Sequence, residues 1–289
     1  MASFKGIRER INSVKATRKI TSAMKMVSSA KLHRAQRTIG NMLPYSRAVE
    51  GMLKDIIAAG DGIESPLAAK RPVNRVAVVA FSSDASLAGS FNSNVARLTR
   101  EVVAGHMSKL GKDNVDVYTV GKKIFEAVTK SGIAVTRNYD NLATKPDYDT
   151  IAGLAASLIS QFAEKKVDRV ELVYHHFKSA GSQLLTHEEF LPISLGGPEA
   201  EERHTGPDYI FEPSREKMLD ELLPRSLRLK LYTVLLDSAA SEHAARVIAM
   251  QSATENADEL ISELTIEYNK SRQQAITNEL LDMVGGQAK

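Results

Sequence analysis

The run Gly105–Asp113 (GHMSKLGKD) is the segment nearest to a phosphate-binding loop. It places five residues between its glycines, where that loop has four. It also carries Asp where a Ser or Thr hydroxyl would hold magnesium, so it does not fit nucleotide hydrolysis. Ser83–Asn92 (SDASLAGSFN) lies between a strand-like and a helix-like run. Its donors suit either an anion at a helix N-terminus or, as the simpler reading, a plain strand-to-helix turn. His175 and His176 are neighbours on a predicted strand, where successive side chains point to opposite faces, so they cannot grip one metal together. His187-Glu188-Glu189 lacks the second histidine of a zinc-protease helix. No nucleophile, base and orienting group recur at a recognisable spacing. The pattern predicts no catalytic residue, no cofactor site and no metal site.

The elements around these residues fall into three regions. Residues 1–60 read as helix: Ile7, Ile11 and Val14, then Ile20, Met24 and Val27, recur at spacings of three and four. Pro44 predicts a kink or local break, because proline removes a backbone donor and clashes with the preceding turn. Residues 73–210 change character. Strand-like runs at 73–81, 115–120, 169–177 and 183–193 alternate with helical runs at 92–109, 122–130 and 147–165. That alternation predicts a βαβ-type sheet with helices on both faces. Residues 194–213, rich in Gly and Pro, read as loop. Residues 214–286 are helical again, with Pro224 expected near the start of the long portion. Val247, Met250, Thr254, Ala257, Ile261, Leu264, Tyr268, Ser271 and Ala275 alternate in steps of three and four, the signature of a left-handed coiled-coil seam. The predicted fold class is α/β: a long antiparallel coiled coil of N- and C-terminal helices plus a Rossmann-like central sheet domain.

Composition narrows the partners. The chain has 289 residues and no Cys, which excludes disulfides and thiolate metal sites. No apolar run approaches the ~20 residues that span a bilayer, so any membrane association is expected to be peripheral. The formal net charge is +3, yet residues 1–50 hold eleven Lys or Arg against Glu9 and Glu50. A helix this basic seeks an acidic partner: nucleic acid, anionic lipid or an acidic protein loop. Aromatic residues for base stacking are confined there to Phe4 and Tyr45. A basic coiled-coil nucleic-acid-binding protein is the alternative reading.

Ile7–Leu32 (IRERINSVKATRKITSAMKMVSSAKL), Ser241–Ala257 (SEHAARVIAMQSATENA) and Tyr268–Gly286 (YNKSRQQAITNELLDMVGG) resemble the opening and closing helices of the gamma subunit of bacterial F-type ATP synthases. Ser83–Asn92 matches that family's central turn more loosely: Ala85 and Ala88 stand where the family has Arg and Cys, and Gln287 replaces a terminal Ala. The resemblance implies the central shaft of a proton-translocating rotary motor, which couples ring rotation to ATP synthesis or hydrolysis on a collar of three alpha and three beta subunits. It implies further partners in the epsilon subunit and the proton-carrying c-subunit ring. Membrane contact would come only through the ring, at the cytoplasmic face of the bacterial inner membrane, with no nucleic acid bound.

Residue by residue, the resemblance implies that Arg272 and Gln273 hydrogen-bond the collar, with Thr277 and Glu279 nearby. Met24, Lys25 and Arg246 would couple the helical pair to the catalytic subunits, Met24 being equally suited to core packing. Tyr209 would touch the ring, and a basic belt at Lys19, Lys25 and Lys31 would face acidic loops of the collar.

Overall fold

The computed structural model describes residues 4–58, 65–193, 212 and 214–286. The loop expected at 194–213 therefore lies almost wholly outside the described residues. The chain divides into two compact units, one of residues 31–245 and one of residues 1–30 with 246–289. The helices α1 (Phe4–Ala58) and α5 (Arg215–Gly286) each contribute to both.

The sheet unit is built on β1 (Val76–Phe81), β2 (Val115–Val120), β3 (Arg137–Tyr139), β4 (Arg169–Ser179) and β5 (Ser182–Leu191), in the order β3-β2-β1-β4-β5. The first four strands run parallel, and β5 returns antiparallel along β4. Between them lie α2 (Phe91–Leu110), α3 (Lys122–Lys130) and α4 (Tyr148–Ala163). Every residue of β1 (VAVVAF) is buried, as a central parallel strand covered on both faces requires. Alternate residues feed two cores. Ala77, Val79 and Phe81 meet α4 and residues of α1 and α5, whereas Val76, Val78 and Ala80 meet α2 and α3. The parallel order requires the chain to leave β1 and β2 at the same sheet end. Ser82 donates its backbone N–H to Val120 there, at 2.8 Å. Gly121, with φ +104°, is demanded by this approach: a Cβ would stand 2.5 Å from the Ser82 carbonyl oxygen.

Opposite that end, Asp168 fastens the chain entering β1. It accepts from Arg71 Nε at 2.6 Å and from the backbone N–H groups of Asn74 and Arg75 at 2.9 and 3.0 Å. Arg71 also lies over the Phe162 ring, 4.3 Å from its centre.

Neither proline marks the end or the start of a helix. The helix α1 continues through Pro44, with no break, and α5 begins at Arg215 and passes through Pro224. The residues four positions earlier, Gly40 and Asp220, are exposed, so water can serve a carbonyl that loses its helical donor. The short strand β3 is not signalled in the sequence, because three half-exposed residues carry no period. Gly105 to Leu110 lie inside α2, so the near-match to a phosphate-binding loop is helical.

Candidate functional site

Apart from Lys31, the collar-facing residues implied by the resemblance lie, where described, in the unit formed by 1–30 and 246–289. Its two helical segments pair along a seam whose partners fall as the α1 number rises. Ile7 and Ile11 pack with Leu264, Arg18 pairs with Asp258, Thr21 meets Thr254 at 2.8 Å, and Lys25 donates to Gln251. The pairing is therefore antiparallel. On α5 the heptad positions Val247, Met250, Thr254, Ala257, Ile261, Leu264, Tyr268 and Ser271 are all buried or half-buried. Ala275, the next in the series, is exposed. By the same register Ser271 stands opposite Phe4, where the described part of α1 begins.

On α1 the seam departs from the hydrophobic reading. After Val14 it passes through Arg18, Thr21, Lys25 and Ser28, which keep the three-four alternation while turning polar. Ile20 and Val27, expected on the buried face, are 60% and 57% exposed, and Met26 is 64% exposed. Ile20 and Val27 thus stand on the outer surface of the helical pair. Met24 and Lys25 are half-buried, and Lys25 is held by Gln251. Arg246 is buried, at 8% exposure.

Arg272, Gln273 and Thr277 are exposed on α5, and Thr277 Oγ1 donates to the Gln273 carbonyl at 2.9 Å. Glu279 lies on the same helix. Ile276 (45%) and Leu280 (53%) add apolar surface to this segment. Tyr209 lies outside the described residues. Periodicity alone misses Met26 and overlooks that Ile20 and Val27 belong to the outer face. The signal was available in the unbroken alternation 11, 14, 18, 21, 25, 28.

The other candidates lie within the sheet unit. In the Ser83–Asn92 turn, Asp84 accepts from Lys122 N–H, Thr144 N–H and Thr144 Oγ1 at 2.8–3.0 Å. Asn92 Oδ1 accepts from Ser83 N–H and Oγ. These bonds make the segment a braced strand-to-helix turn. His175 stacks on Phe91 and His176 contacts Asp237 on α5, so the two imidazoles do face opposite sides of β4. Burial lowers the His175 pKa to about 4, which leaves that imidazole neutral at physiological pH. His187 lies on a strand, and with His106 it contacts the buried Glu171 carboxylate, at 2.8 and 2.9 Å. Burial alone would raise the Glu171 pKa, but the two imidazoles hold it below the ordinary value.

The ATP synthase family matches residues 3–288. An ATP synthase gamma chain of Bacteroides fragilis is 56% identical over 288 residues, covering 99% of each chain. The chain belongs to the ATP synthase gamma family. A gamma chain of Cytophaga hutchinsonii is 42% identical, over 99% of this chain and 98% of its own. Among solved structures, the central stalk and c-ring of Tetrahymena thermophila mitochondrial ATP synthase aligns with a TM-score of 0.60 at 25% identity, over 81% of this chain and 99% of that one. A chain of the Euglena gracilis mitochondrial enzyme aligns with a TM-score of 0.67 at 20% identity, over 99% and 94%, and shares the fold. As a member of the gamma family, the chain is the rotor subunit of the enzyme complex, and it is not the catalyst. The nucleic-acid alternative finds no support in these relatives. Among the described residues no helix is long and apolar enough to cross a membrane.

Proposed function

We propose that the outer face of the helical pair is the surface through which this gamma-family chain engages a collar of three alpha and three beta subunits. The observation that carries the reading is the exposure of Ile20, Met26 and Val27 on a helix whose seam is closed without them. Lys19 and Lys31 supply positive charge along the same helix, facing acidic loops of the beta subunits, and Lys25, half-buried beside Gln251, adds its charge from the edge of the seam. Lys31 and Arg34 also border a cleft of about 300 Å³ in the sheet unit, with Thr38 and Tyr232. Arg272 and Gln273 bond the collar from α5, with Thr277 and Glu279 beside them, and Met24 and Arg246 link the two helices to the catalytic subunits. The epsilon subunit and the proton-carrying ring are the remaining partners, the ring by likeness to the Tetrahymena stalk. The complex sits at the cytoplasmic face of the bacterial membrane.

An asymmetric shaft shows each catalytic site a different surface, so turning it shifts each site's open–closed equilibrium. Moving a site from almost wholly open to almost wholly closed takes ~5.5 kcal/mol of differential contact. Exposed ion pairs supply only ~0–1 kcal/mol each, so the apolar residues must share the load with the basic belt. Reconstitution with alpha and beta subunits tests this. The chain alone should hydrolyse no ATP, and the mixture should form one ATPase-active complex. In the membrane-bound enzyme, Lys25→Glu should lower protons pumped per ATP while the subunit stays folded. Unchanged pumping per ATP would contradict the role given to Lys25.

A further inference from the structure

We propose that the cleft bordered by Lys31 and Arg34 is a binding site for a small organic phosphate monoester, with the phosphate held by those two cations and the ester body on the apolar lining. The cleft lies wholly within the sheet unit. Three segments build it. Lys31, Arg34, Ala35 and Thr38 follow one another on α1 in steps of three, one and three, so they share a helix face. Tyr232, Leu236, Ala239 and His243 follow on α5 in steps of four, three and four, again on one face. Ala143, Thr144 and Pro146, just ahead of α4, complete the lining.

Contacts within the fold hold this lining in place. Thr144 donates to Asp84 through its backbone N–H at 3.0 Å and its hydroxyl at 2.8 Å. Asp147 caps α4, accepting from Thr150 N–H and Oγ1 at 2.9 and 2.6 Å. The Tyr232 ring packs edge-on against Tyr148, with centres 5.3 Å apart. A concave site that is already ordered loses less freedom when a ligand enters.

Charge and shape select the ligand. No acidic side chain lines the cleft. Among the described residues, the Lys31 and Arg34 side chains form no ion pair. The nearby carboxylates have partners of their own: Asp84 and Asp147 hold the threonines above, and Glu242 lies 4.0 Å from His243 Nδ1. Burial, with Asp147, raises the Tyr232 pKa, so that hydroxyl keeps its proton. A phosphate monoester carries about 1.5 to 2 negative charges at pH 7, which matches two cations, whereas a single carboxylate leaves one of them uncompensated. The planar fork of Arg34 can hold two phosphate oxygens while Lys31 acts as a point charge. Ala35, Ala143, Pro146, Leu236 and Ala239 offer the ester body apolar contact. At about 300 Å³ the cleft stands at the lower end of small-molecule sites, which suits a body of one ring.

Calorimetric titration of the full chain with phenyl phosphate at low ionic strength tests the site. Binding should saturate at one ligand per chain. Inorganic phosphate, which lacks the ring, and benzoate, which has the ring but less charge, should each bind about tenfold more weakly. Arg34→Ala should weaken phenyl phosphate about tenfold, the scale of one charge-assisted hydrogen bond. Arg37→Ala, on the same helix but outside the cleft, should leave the affinity unchanged. Both arginines are exposed, so neither change removes core packing. Titrating the chain without the collar subunits keeps the result separate from the reading of the outer face. Absence of saturable binding, inorganic phosphate or benzoate binding as tightly as phenyl phosphate, or equal weakening by Arg37→Ala would overturn the proposal.

Discussion

The sheet unit and the helical pair solve the burial problem in opposite ways. In the sheet unit, every side chain of β1 is enclosed between two apolar cores. In the helical pair, one narrow seam is closed by isoleucine and leucine at one end and by Arg18, Thr21 and Lys25 further along. Ile20, Met26, Val27 and Ile266 face outward. A core that encloses its hydrophobic residues is built for stability. A seam that leaves them outside fits the proposed covering by the collar. On that proposal one unit is scaffold and the other contact surface.

Breaking the scaffold should have the largest effect. Phe162→Ala removes a fully buried ring that also carries Arg71, and it should destabilise the sheet unit by about 3–5 kcal/mol, as read by denaturant unfolding. Next comes Asp168. Burial would raise its pKa, but hydrogen bonds from Asn74, Arg71 and Arg75 hold it below the usual carboxylate value. Its contribution is therefore complete above the ordinary carboxylate range and lost as pH falls through the depressed folded value. Asp168→Asn should cost about 2 kcal/mol at pH 7 and flatten the acid limb of the stability profile, which urea titrations from pH 7 to pH 2 would show. The smallest effect sharpens the contrast from the other side. Thr21→Val or Thr254→Val alone should cost about 0.5 kcal/mol by removing the bond between the two hydroxyls, since the remaining hydroxyl keeps its bond to the Met250 or Arg18 carbonyl, whereas the double change should add little more. A double-mutant cycle by thermal unfolding resolves the coupling.

Much of this was legible in the residues. The alternation of β-branched runs with helical runs predicts β1, β2, β4, β5 and the three helices between them, because each burial pattern leaves its own period. The α5 seam is equally clear from Val247 to Ser271. The α1 seam is not, because a reader who follows hydrophobic residues goes from Val14 to Ile20, while the structure goes to Arg18. The heptad phase continues there in polar residues matched by Asp258, Thr254 and Gln251 on the other helix, and no single helix shows its partner. The prolines mislead for a related reason: whether Pro44 breaks a helix depends on the exposure of Gly40, a tertiary fact. Of the candidate site, Arg272, Gln273 and Thr277 are exposed on α5. The contact of His176 with Asp237 was illegible, because the two are far apart in sequence and meet only through the fold.

The absence of cysteine from the chain permits a direct test of the outer face. Ile20→Cys, Val27→Cys and, on the exposed hairpin turn, Ala180→Cys can each be alkylated in the free chain and after assembly with alpha and beta subunits. The thiols at 20 and 27 should react more slowly by on the order of tenfold once assembled, while the thiol at 180 keeps its rate. Equal reactivity at 20 and 27 before and after assembly would show that the outer face is not the contact surface.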